Sequence, residues 1–466
     1  MPELWQLSAN AIAEQYRTGA LSPVEVVNSV LERIDEVNSR VNAVVSLDVT
    51  GAKAAAKESE YRWLKGKGLS LLDGVPITVK DNILVRGLPA TWGSKLYQDF
   101  IPATDELPIN RLRGRGAIVI GKTNCPEFTL QGYTDNLLFG PTRNPWDLEL
   151  TPGGSSGGAV AAVASGFGPL AIGTDGGGSI RRPASHAGLI GLKPSRGCIP
   201  RCDGFPVILH DFEVVGPMAR NVTDVVLTME IMSGPDPRDP RSLDRPQPNL
   251  SAASMTPRRI LYVRQFGESP VDTEIDQSVA RAARVLADLG HHVQEGQLPI
   301  DLDAVNQAWP VFSQVGLAWL LRSHKDWHGQ VTPAIEEMAT AGLSRSGTEY
   351  YAALSAVSNL QRALAEFFRQ FDLILTPAAA ALPWLASQTH PTTIAGQPVG
   401  PRGHAVFTAF ANMAGCPGIS IPAERSARGL PIGFQLVGAL GDDNLLCALA
   451  AQFEKVCPWA EDWPSV

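Results

Sequence analysis

Residues 151–191 read TPGGSSGGAVAAVASGFGPLAIGTDGGGSIRRPASHAGLIG, and this stretch decides how the rest of the chain is interpreted. It holds 12 glycines in 41 positions, and two short polar groups, at 155–156 and 175–179, lie between or beside glycines. Glycine costs backbone entropy on folding, so this density favours a place where bare N–H groups approach a reacting atom. The stretch therefore predicts a catalytic site.

Two serines of this stretch are candidates for the reacting groups. A small-residue helical pattern at 157–165 and a short apolar strand pattern at 170–172 lie between Ser155 and Ser179. A path of loop, helix, strand and loop can return to the same end of a sheet, so we expect the two serines to lie close together. A serine hydroxyl is a weak nucleophile at neutral pH and needs an adjacent base.

The base is expected to be a lysine from an upstream strand. His186 and His210 are the histidines of this region, and neither lies in a glycine-rich turn. Lys80 ends the stretch VPITVK at 75–80, whose alternation places the valines and the isoleucine on one face and Lys80 on the other. Most lysines are solvated surface charges, so the role of Lys80 depends on its context.

Several ungapped motifs resemble, in order, those of the amidase signature hydrolases. They are Lys80-Asp81, GKTN at 121–124, GGSSGG at 153–158, GTDGGGSIR at 173–181 and GLKP at 191–194. The resemblance continues to GLPIGFQ at 429–435, whereas residues 235–370 match only loosely. It implies the fold of that family, an α/β architecture with a large mixed β-sheet covered by helices on both faces.

The resemblance also implies catalytic roles. It makes Ser179 the nucleophile, Ser155 the bridging serine, held by a cis peptide bond in the family, and Lys80 the base. Ser156 is the competing assignment for the bridge. Lys80 must be neutral to accept a proton, which requires burial to lower its pKa by about 2–3 units. Asp175 and Arg181 flank the glycine loop and are expected to brace it.

The developing oxyanion of an acyl transfer needs fixed hydrogen-bond donors. Consecutive N–H groups can turn inward where residues lack side chains, and each such donor is typically worth about 3 kcal/mol of barrier. The donors expected here are those of Gly176, Gly177, Gly178 and Ser179.

Two other motif matches are interpreted as coincidental. GGSSG at 153–157 satisfies the nucleophile elbow of α/β-hydrolases, but that elbow follows a strand, and NPWDLELTP at 144–152 is a poor strand. GAIVIGKT at 116–123 satisfies the P-loop pattern. Its central residues predict a buried strand, whose N–H groups the sheet would consume, so we expect no nucleotide site.

The rest of the chain alternates predicted helices and strands. SPVE at 22–25 is a capping box with proline at the first helical position, which predicts an N-terminal helix. Strands are predicted at 259–263, 292–294, 371–375, 419–421 and 432–437, and helices at 273–289 and 442–456. The alternation independently predicts a mostly buried sheet with helices on both faces.

Composition predicts one soluble enzyme without a cofactor. No linker or repeat divides the 466 residues, so we expect a single amidase signature domain over 1–466, with a catalytic core at 70–220 and a variable lobe over the pocket at about 235–370. The net charge of −8 argues against nucleic acid. The uncharged stretch at 151–174 is interpreted as core rather than a membrane span.

The cysteines and the N-terminus predict a cytoplasmic protein. Six cysteines show no metal-ligand spacing and are interpreted as free thiols of a reducing compartment, and the first residues lack the pattern of an export signal. We expect no metal and no cofactor. The expected partner is a small-molecule amide, and a homodimer stays open.

Aromatic residues indicate which kind of substrate the pocket would accept. The resemblance would place much of 300–360 over the pocket mouth, and further wall candidates lie outside it. The aromatic residues in question are Trp309, Phe312, Trp319, Trp327, Tyr350 and Tyr351, with Trp92, Tyr133 and Trp384 as the further candidates. Helix core is the commoner role for such spacing, but a lid rich in rings suits an aryl or long apolar acyl group.

The sequence thus predicts an amidohydrolase that cleaves the C–N bond of a neutral linear amide, with esters and carbamates as alternatives. The rival within the family is the glutamine-hydrolysing component of a tRNA-dependent amidotransferase. The chain departs from the usual sequence of that component at SRGCIP, 195–200. The rival of another class is an inactive small-molecule binding protein. The chain retains Lys80, Ser155 and Ser179, which speaks against that alternative.

Overall fold

A computed structural model describes residues 3–243 and 256–466. The strands of its main sheet and of a small hairpin are β1 Val44–Leu47, β2 Pro76–Lys80, β3 Ile118–Thr123, β4 Leu170–Asp175, β5 Ile190–Lys193, β6 Val214–Ala219, β7 Arg259–Tyr262, β8 His292–Glu295, β9 Leu373–Pro377, β10 Thr393–Ile394, β11 Gln397–Pro398, β12 Gly418–Pro422 and β13 Gly433–Gly438. All except β10 and β11 belong to one 11-stranded sheet, in the order β1-β3-β2-β4-β6-β5-β12-β13-β9-β7-β8.

Helices surround this sheet. They are α1 Ala9–Thr18, α2 Pro23–Val41, α3 Val49–Leu64, α4 Leu107–Gly114, α5 Gly157–Ala164, α6 Arg181–Ala187, α7 Val222–Met232, α8 Thr273–Asp288, α9 Leu302–Leu321, α10 Pro333–Leu343, α11 Gly347–Phe367, α12 Ala409–Ala414 and α13 Asp443–Val456. Short 3₁₀ turns lie at Leu4–Gln6, Lys95–Tyr97, Glu127–Thr129, Pro240–Ser242 and Gly403–Ala405.

The sheet is mixed. β2 runs parallel to both β3 and β4, and β7 runs parallel to β8 and β9, whereas the other neighbours are antiparallel. Successive residues of β4 face different layers, since Leu170 and Ile172 join the core of α7 and α13 while Ala171 joins that of α5 and α6. The sheet therefore carries helices on both faces, as the sequence predicts.

Local signals account for the start of α2. Ser22 accepts a hydrogen bond from the Glu25 amide, and the Glu25 carboxylate accepts one from the Ser22 amide, with Pro23 at the first helical position. The helix α1 precedes it and was not predicted. No described helix has the length and hydropathy needed to cross a membrane.

The predicted strands and helices are present, with bounds shifted by one to three residues. β4 extends beyond the predicted 170–172 to Asp175, and β9 begins at Leu373 rather than at 371. The uncharged stretch 151–174 is buried throughout, in α5, β4 and the loops before them. Of the expected lobe at 235–370, residues 244–255 lie outside the described part of the chain.

Candidate active site

The carboxyl ends of two neighbouring parallel strands position the candidate base. β2 ends at Lys80 and pairs in parallel with β4, which ends at Asp175. Val75, Ile77 and Val79 belong to the apolar core, as the alternation predicts, so Lys80 projects from the opposite face of the strand. The Lys80 side chain is thereby brought toward the loops that follow β4 and precede α5.

Lys80 is fully buried and makes short polar contacts. Its Nζ lies 2.7 Å from the Ser155 Oγ and 3.0 Å from the Thr174 Oγ1. Asn82 donates to the same Thr174 hydroxyl at 3.1 Å. Burial lowers the pKa of Lys80 to about 8, against the opposing charges of Glu213 and Asp175. Thr174 and Asn82, which no sequence pattern marks, therefore fix the position of the amine.

Ser155 and Ser156 occupy the turn before α5, but only one of them contacts the lysine. The peptide bond between Gly154 and Ser155 is cis. Ser156 donates its hydroxyl to the Thr174 carbonyl at 3.1 Å, and its N–H donates to the Ser179 carbonyl, also at 3.1 Å. Ser156 thus joins the two loops, while Ser155 contacts the Lys80 amine.

The glycine loop after β4 presents fewer free donors than the sequence predicts. Gly178 donates its N–H to the Asp175 Oδ1 at 2.6 Å, so this expected oxyanion donor is already hydrogen-bonded within its own loop. Within the described part of the chain, the N–H groups of Gly176, Gly177 and Ser179 have no hydrogen-bond acceptor. The candidate donor set is therefore these three amides.

A buried ion pair holds the loop from behind. Arg181 donates to both carboxylate oxygens of Asp175 at 3.0 Å, and burial of Asp175, which alone would raise its pKa, is outweighed by Arg181, so the pKa lies far below the usual range. Asn412 of α12 donates to the Asp175 carboxylate and accepts from Arg181 at 2.6 Å. Gln435 of β13 accepts from Arg181 at 3.1 Å. Residues from the end of the chain thus contact the same ion pair that lies behind the glycine loop.

Ser179 opens into a cavity of about 180 Å³. Ser179 is 7% exposed, and Trp309 of α9 lines the same cavity. The Trp309 ring packs against the glycine loop, where a Cβ on Gly177 would come within 2.6 Å of it. Leu209 lines both this cavity and a neighbouring one of about 700 Å³, whose lining includes Asn82.

The other aromatic candidates divide between cavity wall, core and surface. Those that line the larger cavity are Trp92, Phe312, Trp319 and Tyr350. Trp327 belongs to a hydrophobic core cluster, and Tyr351 is 75% exposed. Trp384 is buried with its ring centroid 4.7 Å from that of His404, and Tyr133 lines neither cavity. Trp309 alone of these nine lies with Ser179.

The motifs set aside in the sequence behave as expected. β3 covers 118–123, so the P-loop pattern is a strand, and Lys122 is buried with its Nζ on the Asp81 and Pro89 carbonyls at 3.2 and 3.3 Å. Residues 144–152 form isolated bridges and no strand, which excludes the α/β-hydrolase elbow. Buried His186 donates from its Nε2 to the Ala381 carbonyl at 3.1 Å, and its Nδ1 has no hydrogen-bond partner among the described residues. Within the described part of the chain, the six cysteines form no disulfide bond.

Comparison with known proteins identifies relatives over the whole length. A family model described as Amidase matches residues 25–447. An acylamidase of Rhodococcus erythropolis is 34% identical, covering 98% of this chain and 97% of its own. The A subunit of the glutamyl-tRNA(Gln) amidotransferase of Roseiflexus castenholzii is 33% identical, over 100% and 99%.

A solved structure agrees with these sequence relatives. The crystal structure of a bacterial aryl acylamidase of the amidase signature family superposes with a TM-score of 0.90 at 31% identity, covering 98% of this chain and 97% of its own. The fold and the sequence thus point to the same group of enzymes.

Proposed function

This chain belongs to the amidase signature family, and from that membership we propose that it is a hydrolase that cleaves an amide C–N bond through an acyl-enzyme on Ser179. The observation that carries the proposal is the buried contact of 2.7 Å between the Lys80 Nζ and the Ser155 Oγ. A lysine with a lowered pKa beside a serine hydroxyl has the composition that a proton relay needs.

In the proposed first step, neutral Lys80 takes the proton of the Ser155 hydroxyl while Ser155 takes that of Ser179. The Ser179 oxygen attacks the amide carbonyl and forms a tetrahedral oxyanion. The free N–H groups of Gly176 and Gly177 are proposed to donate to it, together with that of Ser179. Fixed donors of this kind require no reorganisation when charge develops, which is why each lowers the barrier by about 3 kcal/mol.

In the second step the relay returns a proton to the leaving amine and the C–N bond breaks. Water then attacks the acyl-enzyme, gives its proton to the same relay, and releases the acid with Ser179 restored. Ser156 supports this cycle by joining the two loops. Asp175 and Arg181 support it by holding the glycine loop.

We further propose that the scissile group is a neutral linear amide next to an aryl or apolar group. Trp309 in the Ser179 cavity supports this proposal, since its ring offers an apolar wall beside the nucleophile. The acylamidase and aryl acylamidase relatives support it too. Esters and carbamates are the alternative scissile groups, because the same oxyanion and relay would serve them.

A glutamine-hydrolysing component of an amidotransferase is the second candidate function. The full-length likeness to the Roseiflexus castenholzii amidotransferase protein favours it, and a protein of this kind would act with partner subunits. An inactive binding protein is the third. Activity of the purified chain on anilides, without any partner, separates our proposal from both, because the second requires glutamine and the third gives no turnover.

Active-site labelling tests the nucleophile. A fluorophosphonate should label Ser179 in a one-to-one ratio and abolish release of p-nitroaniline from p-nitroacetanilide. Ser179→Ala should take up no label and release no p-nitroaniline, whereas the exposed Ser358→Ala serves as the matched control and should react as the parent does. An adduct on Ser155 with Ser179 unmodified would overturn the assignment.

A further inference from the structure

The cavity at Ser179 carries uncompensated positive charge. Arg182 and Arg402 both line it, and no aspartate or glutamate does. Among the described residues, neither guanidinium has a carboxylate within 4.0 Å, although many other arginines of the protein form such ion pairs. Two cations without a contacting counter-ion are costly in a concave site, so the site is suited to a ligand that supplies negative charge.

The two arginines differ in how they are held. Arg182 is buried and donates to the Gly177 carbonyl at 2.6 Å and to the Thr408 hydroxyl at 3.1 Å, while its Nε has no hydrogen-bond partner among the described residues. Burial and then the charge of Arg402 lower the pKa of Arg182 to about 9. The two positive charges are close enough to affect each other, so both would attract an anion that binds between them.

Arg402 provides the adaptable part of this arrangement. Its guanidinium carbon lies 5.2 Å from the centroid of the Trp309 ring, a cation–π distance. The side chain is exposed to solvent and lines the cavity. An exposed arginine of this kind can reach a bound anion without losing any other ion pair.

His404 supplies an independent indication that this cavity is a binding site. It is 3% exposed and lines the same cavity, and neither ring nitrogen has a hydrogen-bond partner among the described residues. Buried polar atoms are normally paired, so an imidazole with both nitrogens unpaired calls for a partner. A Cβ on Gly132 would come within 2.3 Å of the His404 Nε2, so the chain leaves room for the ring there.

We propose that the Ser179 cavity selects amides that also carry a carboxylate, which Arg402 and His404 bind with Arg182 behind them. This inference rests on the proposed hydrolase function and refines it, because the substrate as a whole is then anionic although its scissile amide is neutral. In the proposed complex, Trp309 contacts the apolar part of the substrate, and Arg402 and His404 contact its carboxylate. Charge-assisted hydrogen bonds to a carboxylate are the strongest that such a site can form.

Two anilides of equal shape test the proposal. Succinanilic acid carries a carboxylate, and 3-nitropropionanilide carries a planar nitro group of nearly the same size without the charge. We expect kcat/KM for aniline release to be at least about tenfold higher for the acid, since hydrogen bonds to charged groups exceed neutral ones by this order. Arg402→Gln and His404→Gln should each reduce that preference, chiefly through KM, and Arg402→Lys should restore part of it.

The controls separate failure of this proposal from failure of the function. Arg369→Gln removes an exposed arginine that pairs with Glu366 and should leave the preference as in the parent. Turnover of the nitro compound with no preference for the acid would overturn the carboxylate proposal and leave the hydrolase intact. If neither compound is cleaved, calorimetry on Ser179→Ala still decides, because equal binding of both compounds would overturn the proposal and tighter binding of the acid would uphold it.

Discussion

The protonation of Lys80 gives the sharpest test of the proposed chemistry. Its pKa of about 8 means that about one-tenth of the amine is neutral at pH 7, against about 0.03% for a lysine with the ordinary value of 10.5. Burial thus increases the reactive form by a factor of about 300. Because only the neutral amine accepts a proton, kcat/KM should rise with pH through an inflection near 8 and reach a plateau above it.

Substitutions of Lys80 distinguish the base from a structural cation. Lys80→Ala should lower kcat/KM by about 10²–10⁴-fold, the usual contribution of a positioned base, and should remove the inflection. Lys80→Arg keeps a positive charge that almost never leaves, so we expect it to be as damaging as alanine. Initial rates of p-nitroaniline release between pH 6 and 10 measure both effects.

Three results would refute this reasoning. The first is near-parent activity of Lys80→Arg, and the second is a parent profile that is flat from pH 6 to 10 with chemistry shown to limit the rate. The third is an inflection that survives in Lys80→Ala, which would assign the titration to another group. A solvent isotope effect and a comparison of ester with amide substrates establish whether chemistry limits the rate.

The remaining predictions concern bridging, stability and the P-loop pattern. Ser155→Ala should lower kcat/KM far more than Ser156→Ala, because only Ser155 contacts the Lys80 amine, and equal losses would leave the bridge unassigned. Lys80→Met should abolish activity and raise the free energy of unfolding at pH 7 by up to about 3 kcal/mol, because a lowered lysine pKa costs stability below pH 8. This cost disappears as the pH rises toward 10.5. Urea titrations at pH 7 and 10 measure the difference in the free energy of unfolding, and a variant with no pH-dependent gain in stability would contradict the prediction. Lys122→Ala should lower the free energy of unfolding by about 3–5 kcal/mol because it leaves Asp81 buried without its cation, while calorimetry should detect no magnesium-dependent ATP binding to the parent or the variant.

Local sequence patterns were sufficient to predict helices and strands and the contact between Lys80 and Ser155. The alternation at 75–80 identified a strand with Lys80 off the apolar face, and this depends only on the period of an extended chain. The motif resemblance then paired Lys80 with Ser155, and their side chains lie 2.7 Å apart. The capping box likewise located the start of α2, because a helix N-terminus needs those side chains wherever it lies.

Features that depend on the tertiary arrangement could not be predicted in the same way. A glycine at 178 suggested a free amide, but the turn directs its N–H to Asp175. Asn412 and Gln435 reach the same ion pair across more than 230 residues of sequence, and neither lies in a local pattern that marks it. Trp309 and Tyr351 looked equivalent in the sequence, yet one lies beside Ser179 and the other in solvent.

The position of β12 and β13 in the sheet has a consequence for synthesis of the chain. These two strands, Gly418–Pro422 and Gly433–Gly438, join β5 to β9 and so connect the half of the sheet formed early in the chain to the half formed late. Until they leave the ribosome, β5 and β9 each present an unpaired edge, which is the kind of surface on which nascent chains aggregate. Chains that stop before residue 418 should therefore accumulate as insoluble material although they already contain every proposed catalytic residue. A separately expressed segment that spans both strands should rescue their solubility and their activity together.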